Sequence, residues 1–374
     1  MTTTIDFDLH GLAGIRLLDA SDDDRTAVGR QLGIAPSLLP REPDIVIRFV
    51  ERLNVASRIR YVGVDEVGFT DDAFLVLRGK QKSRVRVQIP FEHVGQQCEI
   101  LCERGVLQVP LLIPILNLTI LKRGALPLHA AAFVYNDTGF IATGWSKGGK
   151  TETLLAFMAR GARYIGDEWV YLQADGRRMF GIPEPIRVWN WHLQHLPKYR
   201  GLVSRSSRAR LRALGLAVAG LERVTAGRST QTSFSTRQLN RVKSLLTKQL
   251  YVDVPPRDLF GPEACQLSGE VDKILFVGNH EATAITVRPI DPEEVAQRMV
   301  SSLQFEQMNF MSYYWRFRFA FPDRCNKLLE NSRELQQKIL KQAVAGKDAY
   351  EVSHPYPVAI PSLFEAIHES CMRA

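Results

Sequence analysis

The run Gly144-Trp145-Ser146-Lys147-Gly148-Gly149-Lys150-Thr151 constrains this chain more than any other stretch. It fits G-x-x-x-x-G-K-[ST], a pattern whose residue types follow from wrapping backbone around a phosphate. Glycine tolerates the angles that turn successive N–H groups inward. The closing lysine reaches β- and γ-phosphate oxygens, and the hydroxyl after it suits Mg2+. A helix is expected to start here, so its positive dipole end also favours an anion. Glu152 completes the expected nucleotide-binding stretch. An acid in a first helical turn either complements the dipole or contacts the metal.

The flanks supply the setting such a loop requires. Residues 130–135 and 140–143 read as strands, and Asn136-Asp137-Thr138-Gly139 between them predicts a tight hairpin turn. Residues 152–160 space their apolar side chains as a helix does, with Gly161 as a stop. Residues 162–166 then read as a short strand beside the loop strand, ending at Asp167 and Glu168. Phosphoryl transfer needs charge neutralisation, in-line positioning and a group to accept the hydroxyl proton. Lys150, expected to lie open to ligand rather than packed, and Mg2+ on Thr151 would supply the first. A carboxylate at Asp167 can hold the metal or take the proton. The second role requires burial, since a carboxylate in water is a weak base. Without the loop, Asp167 and Glu168 would read as a solvated turn.

Residues 128–172 resemble the catalytic core of bacterial HPr kinase/phosphorylase in spacing as well as residue type. His129 stands where that family has a histidine heading the strand into the loop, and Gly144 and Ser146 match its Gly-x-Ser. Gly149, Lys150, Thr151, Glu152 and Thr153 match its Gly-Lys-Ser-Glu-Thr, Arg160 and Gly161 follow the helix, and Asp167 and Glu168 stand where the family has two aspartates. The chain departs from the family at Ala130, at Lys147, which replaces a loop glycine, and at Glu168. It also lacks the family's downstream Glu-Ile-Arg-Gly signature. The resemblance implies an α/β (α+β) mixed-sheet core of the type shared by HPr kinase and ATP-dependent phosphoenolpyruvate carboxykinase. It further implies ATP and Mg2+ as cofactors, a homo-oligomer, a base role for Asp167, metal support from Glu168, and contact of His129 with phosphate or a carboxylate. From the residues alone, a histidine satisfied inside the hairpin is the other reading of His129.

Arg187 follows Pro183 and Pro185 in an apolar stretch. Arginine suits a bidentate grip on phosphate, and small kinases related to the HPr enzyme carry a loosely similar proline-then-arginine stretch. An ordinary surface arginine is the alternative. Arg205, Arg208, Arg210 and Arg212 form one basic stretch, and Arg237, Arg241, Lys243 and Lys248 a second. With the polar segment 225–233 between them, the whole stretch reads as a flexible basic region that could close over ATP or hold an acidic substrate. Solvated helix faces are the other reading. No aromatic residues are interleaved there, so no nucleic-acid partner is expected.

The 374 residues suffice for one large or two modest domains, and the net charge of +8 suits an anionic ligand. Cys98, Cys102, Cys265, Cys325 and Cys371 are odd in number and widely spread, with no secretory signal ahead of them. Reduced thiols and a cytoplasmic setting are expected. Residues 106–121 are apolar but short and carry Pro110 and Pro114, which predicts a buried element rather than a membrane span.

Residues 1–105 read as a β-rich region, with strands at 45–50, 74–77 and 85–89 and a turn at Arg78-Gly79-Lys80. Asp22, Asp23 and Asp24 mark a helix start. Residues 106–374 read as the phosphate-transfer core. A strand at 273–277 joins its sheet, and 285–289 pairs with that strand. Helices are expected at 293–304 and 333–343, a strand at 352–358, and a short last helix. Residues 310–321 read as an adenine-stacking wall or as a packed helix. The expected activity is ATP- and Mg2+-dependent transfer to a hydroxyl, most plainly a serine of a peptide or protein, with a free small molecule as another acceptor. A nucleotide sensor that transfers nothing and a carboxykinase-type lyase are the alternatives from other classes.

Overall fold

Short runs rich in β-branched and aromatic residues, some continuous and some alternating with polar ones, drive the first hundred positions into strands. In the computed structural model of the chain, which describes residues 4–55, 58–63, 66–79, 84–226 and 234–372, these are β1 (Thr4–Leu9), β2 (Ala13–Leu18), β3 (Ile45–Val50), β4 (Arg60–Val62), β5 (Val67–Phe69), β6 (Phe74–Arg78), β7 (Arg84–Gln88) and β8 (Cys98–Glu103). They form a mixed sheet in the order β1-β2-β3-β8-β7-β6-β5-β4, parallel only at β2–β3 and β3–β8. The crossover that parallel β2 and β3 require contains α1 (Asp22–Leu32). Its acids lie in the first turn as expected. Ser21 Oγ accepts the Asp24 N–H at 3.2 Å, and the Asp24 carboxylate accepts the Ser21 N–H at 3.1 Å. Of the expected turn at 78–80, Lys80 lies outside the described residues, as do 227–233 of the polar segment.

The apolar segment before the core becomes α2 (Leu112–Lys122), almost wholly buried. Among the described residues no helix is long and apolar enough to cross a membrane. The remaining elements are β9 (Ala125–Tyr135), β10 (Thr138–Thr143), α3 (Lys150–Met158), β11 (Arg163–Gly166), β12 (Trp169–Gln173), β13 (Arg178–Gly181), β14 (Ile186–Trp189), α4 (Asn190–His195), α5 (Pro197–Arg200), α6 (Arg205–Ala226), α7 (Phe234–Thr247), β15 (Tyr251–Val254), α8 (Pro256–Phe260), β16 (Ser268–Glu270), β17 (Lys273–Asn279), β18 (Thr286–Pro289), α9 (Pro292–Ala320), α10 (Lys327–Glu330), α11 (Ser332–Val344), β19 (Asp348–His354) and α12 (Ile360–Met372). A second mixed sheet runs β16-β13-β12-β9-β10-β17-β19-β18, with β11 also on β9; β14 and β15 pair apart from it. The chain is therefore a mixed α/β protein.

The expected hairpin is β9–β10. Asn136 and Asp137 both have positive φ, 48° and 58°, the signature of the tight turn that matches strand twist. Two expected pairings differ. β11 lies on β9 rather than on the loop strand β10, because β9 and β17 already fill both edges of β10. β18 pairs with β19 rather than β17, because β10 and β19 fill both edges of β17. β19 also ends at His354, before the expected span does, since Pro355 brings no N–H to a ladder.

The period of two divides the second sheet's side chains between two cores. Ala130, Ala132 and Val134 of β9 face the core shared with the first sheet, α2, α9 and α11, while Ala131 and Phe133 face the core built with α3 and α12. Residues 310–320 belong to one unbroken helix, α9, and Phe321 is its cap residue. Phe310, Tyr314 and Phe317 turn inward at helical spacing onto Phe91, with ring centroids 5.4, 6.1 and 5.5 Å away. It is the packed helix of the two readings. All five cysteines are free thiols, and burial pushes Cys98 and Cys102 up to about 12. Phe91→Ala is expected to cost about 3–5 kcal/mol in urea denaturation; a loss under about 1 kcal/mol would show that the aromatic cluster does not tie α9 to the first sheet.

Candidate active site

The loop between β10 and α3 is pressed against its neighbours where it lacks side chains. A Cβ on Gly144 would lie 2.2 Å from the Val277 carbonyl oxygen, and one on Gly148 would lie 2.8 Å from the same atom. At Gly149, φ is +106° and a Cβ would sit 2.0 Å from His354 Nε2. His354 is fully buried at the end of β19, with Nε2 also 3.1 Å from the Gly148 oxygen. Lys147, at the position where the resembling family has glycine, takes a left-handed φ of 63°. Its side chain is exposed and its carbonyl accepts from Asn279 Nδ2 at 3.0 Å. Ser146 is half-buried, and Trp145 stands half-exposed at the lip, its ring 4.9 Å from that of Phe305 on α9.

Helix α3 starts at Lys150, with Gly149 as its cap residue and no side chain capping it. Its first-turn N–H groups have no partner inside the helix. Lys150 is not open as expected: it is 6 % exposed and folds back so that Nζ donates to the Trp145 oxygen at 3.0 Å. Burial lowers its pKa, while Glu168, Asp167, Glu306 and Glu152 pull the other way and keep a cation tolerable there.

The acid pair arises at a break in the sheet. The β9–β11 register shifts between Tyr164 and Gly166, and Glu168 takes a φ of +70°, so the chain sends Asp167 inward and Glu168 outward. Thr151 Oγ1 donates to the Asp167 carboxylate, 3.0 Å from Oδ2 and 3.2 Å from Oδ1. Asp167 is 3 % exposed. Burial first, then the charge of Glu168, raises it to about 7 against the opposing effects of Thr151 and Lys150.

His129 lies between two carboxylates, with Nε2 3.1 Å from Glu168 and Nδ1 2.7 Å from Glu306. Burial would lower its pKa, but the hydrogen bonds to Glu168 and Glu306 outweigh that and raise it to about 9. As an imidazolium it donates to both. The same bond holds the Glu168 carboxyl below its ordinary value. Glu152 turns away from the loop. The Trp189 N–H donates to His192 Nδ1 at 3.2 Å, which leaves Nε2–H to donate to Glu152 at 3.1 Å. Burial opposes ionisation of Glu152, yet His192 holds its pKa below the ordinary value. Arg187 on β14 is half-exposed, bonded to Asp253 at 3.2 Å and stacked 4.2 Å over Tyr251, and its charge reaches Glu168.

The fold thus brings Lys150, Thr151, Asp167, Glu168 and His129 together, sets Arg187 within electrostatic reach, and uses Glu152 to anchor α4. Among the described residues no three His, Cys, Asp or Glu side chains converge as a closed metal cage. Mg2+ bound largely through phosphate and water needs only one or two protein oxygens, and Thr151 with one carboxylate of the Asp167–Glu168 pair is a set of that kind. Glu306, His192 and His354 escape the sequence reading because each lies far along the chain in an element whose local pattern marks it as ordinary helix or strand. No protein-family model matches the chain, and no curated protein matches it.

Because folding raises the Asp167 pKa, ionised Asp167 destabilises the fold above about pH 7, and the penalty fades as pH falls toward the ordinary carboxylate value of about 4. Asp167→Asn is expected to raise the denaturation midpoint above about pH 7 and to lose that advantage near pH ~4; a pH-independent difference would contradict the burial account.

Proposed function

We propose that the chain is an ATP- and Mg2+-dependent kinase on a P-loop core, transferring the γ-phosphoryl group to a hydroxyl, foremost a serine of a peptide or protein. One observation carries this reading. A carboxyl group is buried 3.0 Å from the hydroxyl that follows the loop lysine, and burial raises it to about 7. A module that only binds nucleotide has no need of a proton acceptor matched to neutral pH. The loop itself suits phosphate: its glycines let it seat against Val277 and His354, α3 begins there without a side-chain cap, and the buried Lys150 folds back across it onto the Trp145 carbonyl.

The backbone N–H groups from Gly144 to Glu152 and the Lys150 ammonium would hold the β- and γ-phosphates. Thr151, with Glu168 in support, would hold Mg2+, which leaves the Asp167 carboxylate to take a proton. When bound, Mg2+ neutralises phosphate charge and that developing on the leaving oxygen. Lys150 exchanges the Trp145 carbonyl for a phosphate oxygen, so its cation keeps an acceptor throughout. Asp167 takes the proton of the acceptor hydroxyl as the new O–P bond forms and the P–O bond to ADP breaks. His129 holds Glu168 in place, its own charge balanced by Glu306. Arg187 on β14, whose charge reaches the same carboxylate, suits a phosphate or an anionic acceptor. Trp145 and Phe305 offer exposed rings on which a base can stack.

Lys150→Met, which keeps volume at a buried position, is expected to lower transfer from γ-labelled ATP by about 100-fold or more; undiminished transfer would refute the assignment. For the unaltered protein, kcat/KM is expected to rise with pH and level off above about pH 7, because Asp167 must be ionised to accept a proton. A profile flat across neutral pH would remove Asp167 from the base role.

A further inference from the structure

Helix α6 holds a concentration of positive charge that phosphate transfer leaves unused. Its sequence has five arginines and one glutamate, and that glutamate, Glu222, pairs with Lys243 of α7 at 3.0 Å. Arg210 is engaged with the Tyr251 carbonyl. Arg208 and Arg212 instead turn, with Arg200 of α5, into a groove of about 540 Å3 between α6 and α4. Leu193 and Leu211, both nearly buried, make its floor, and Leu216 stands 76 % exposed at its rim. Arg208 Nε is shut off from water and has no hydrogen-bond partner among the described residues. A buried donor left without an acceptor costs on the order of 1–3 kcal/mol, which an anion in the groove would relieve.

The groove lies beside the transfer site. Helix α4 contributes Leu193 to the groove, while its His192 holds Glu152, the residue next to Thr151 on α3. Groove and loop helix therefore both border α4, one through Leu193 and the other through His192. Strand β14, which leads into α4, carries Arg187, whose charge reaches Glu168.

We propose that the groove between α4 and α6 binds an acidic, leucine-bearing segment of the polypeptide acceptor, its carboxylates paired with Arg200, Arg208 and Arg212 and its apolar side chain seated on Leu193 and Leu211. The proposal rests on the reading of the chain as a kinase with a peptide or protein acceptor. The leucine floor selects a peptide over a nucleic acid, since among the described residues no aromatic ring lines the groove for base stacking. Forked guanidinium groups match carboxylates in pairs.

The test is the fluorescence anisotropy of a short fluorescein-labelled peptide rich in Glu and Leu, measured without nucleotide. The unaltered protein is expected to bind it. Arg200→Glu with Arg212→Glu, both on exposed side chains, is expected to weaken binding by about tenfold or more, ~1.4 kcal/mol, with the thermal midpoint unchanged. Arg208→Lys, which keeps the charge but loses the fork, is expected to weaken it less. Absence of binding to the unaltered protein, equal binding by the reversed-charge variant, or displacement of the peptide by an oligonucleotide of equal charge would each overturn the proposal. Because no ATP is present, failure here is distinct from failure of the loop to bind ATP.

Discussion

The close approach of the Gly144–Thr151 loop to the Val277 carbonyl and the His354 imidazole is the constraint on which the rest of the site depends. Three of its residues sit where a Cβ would collide with neighbouring atoms. Val277 is on β17 and His354 ends β19, so the loop is seated on the two strands that run parallel to its own through the sheet. That seating fixes where α3 begins. It therefore fixes the directions of Lys150 and Thr151, which follow the last glycine without a break.

Electrostatics then follow from burial. Lys150 and Asp167 lie almost out of water, with His129 beside them, and each is acceptable only through its partners. Burial acts on the three in opposite senses: it lowers the lysine and histidine and raises the aspartate. The two carboxylates on His129 reverse its sign, so that it stays cationic to about 9. Asp167 has no cation in direct contact and is left near 7. The group in the cluster whose charge changes around neutral pH is thus the one that touches the hydroxyl after the loop.

Much of this was legible in the sequence where the cause is local. The β9–β10 hairpin follows from Asn136 and Asp137, α1 from Ser21 and its three acids, and the loop from residue types whose backbone demands are short-range. Pairings between distant strands were not legible in the same way. β11 is the strand next in sequence to α3, and proximity suggested the edge of β10. The edge was already taken by β17, more than a hundred residues on. Lys150 was legible as a phosphate-binding residue, but its fold-back onto Trp145 depends on a ring of carboxylates drawn from α3, α9 and the bulge after β11. The aromatic run on α9 has the same composition whether its rings face a ligand or Phe91; only the sheet beneath it decided.

The sequence by itself determined the loop, the hairpin, the helix starts and the candidacy of Asp167, because each rests on torsional preference, period or capping within a few residues. Only the tertiary structure decided that Asp167 is buried and faces Thr151, that Glu306 holds His129, that Glu152 anchors α4, and that three arginines share a groove. Burial and charge pairing depend on which surfaces meet. That is set by the packing of whole sheets and helices, for which no short stretch of chain carries the information.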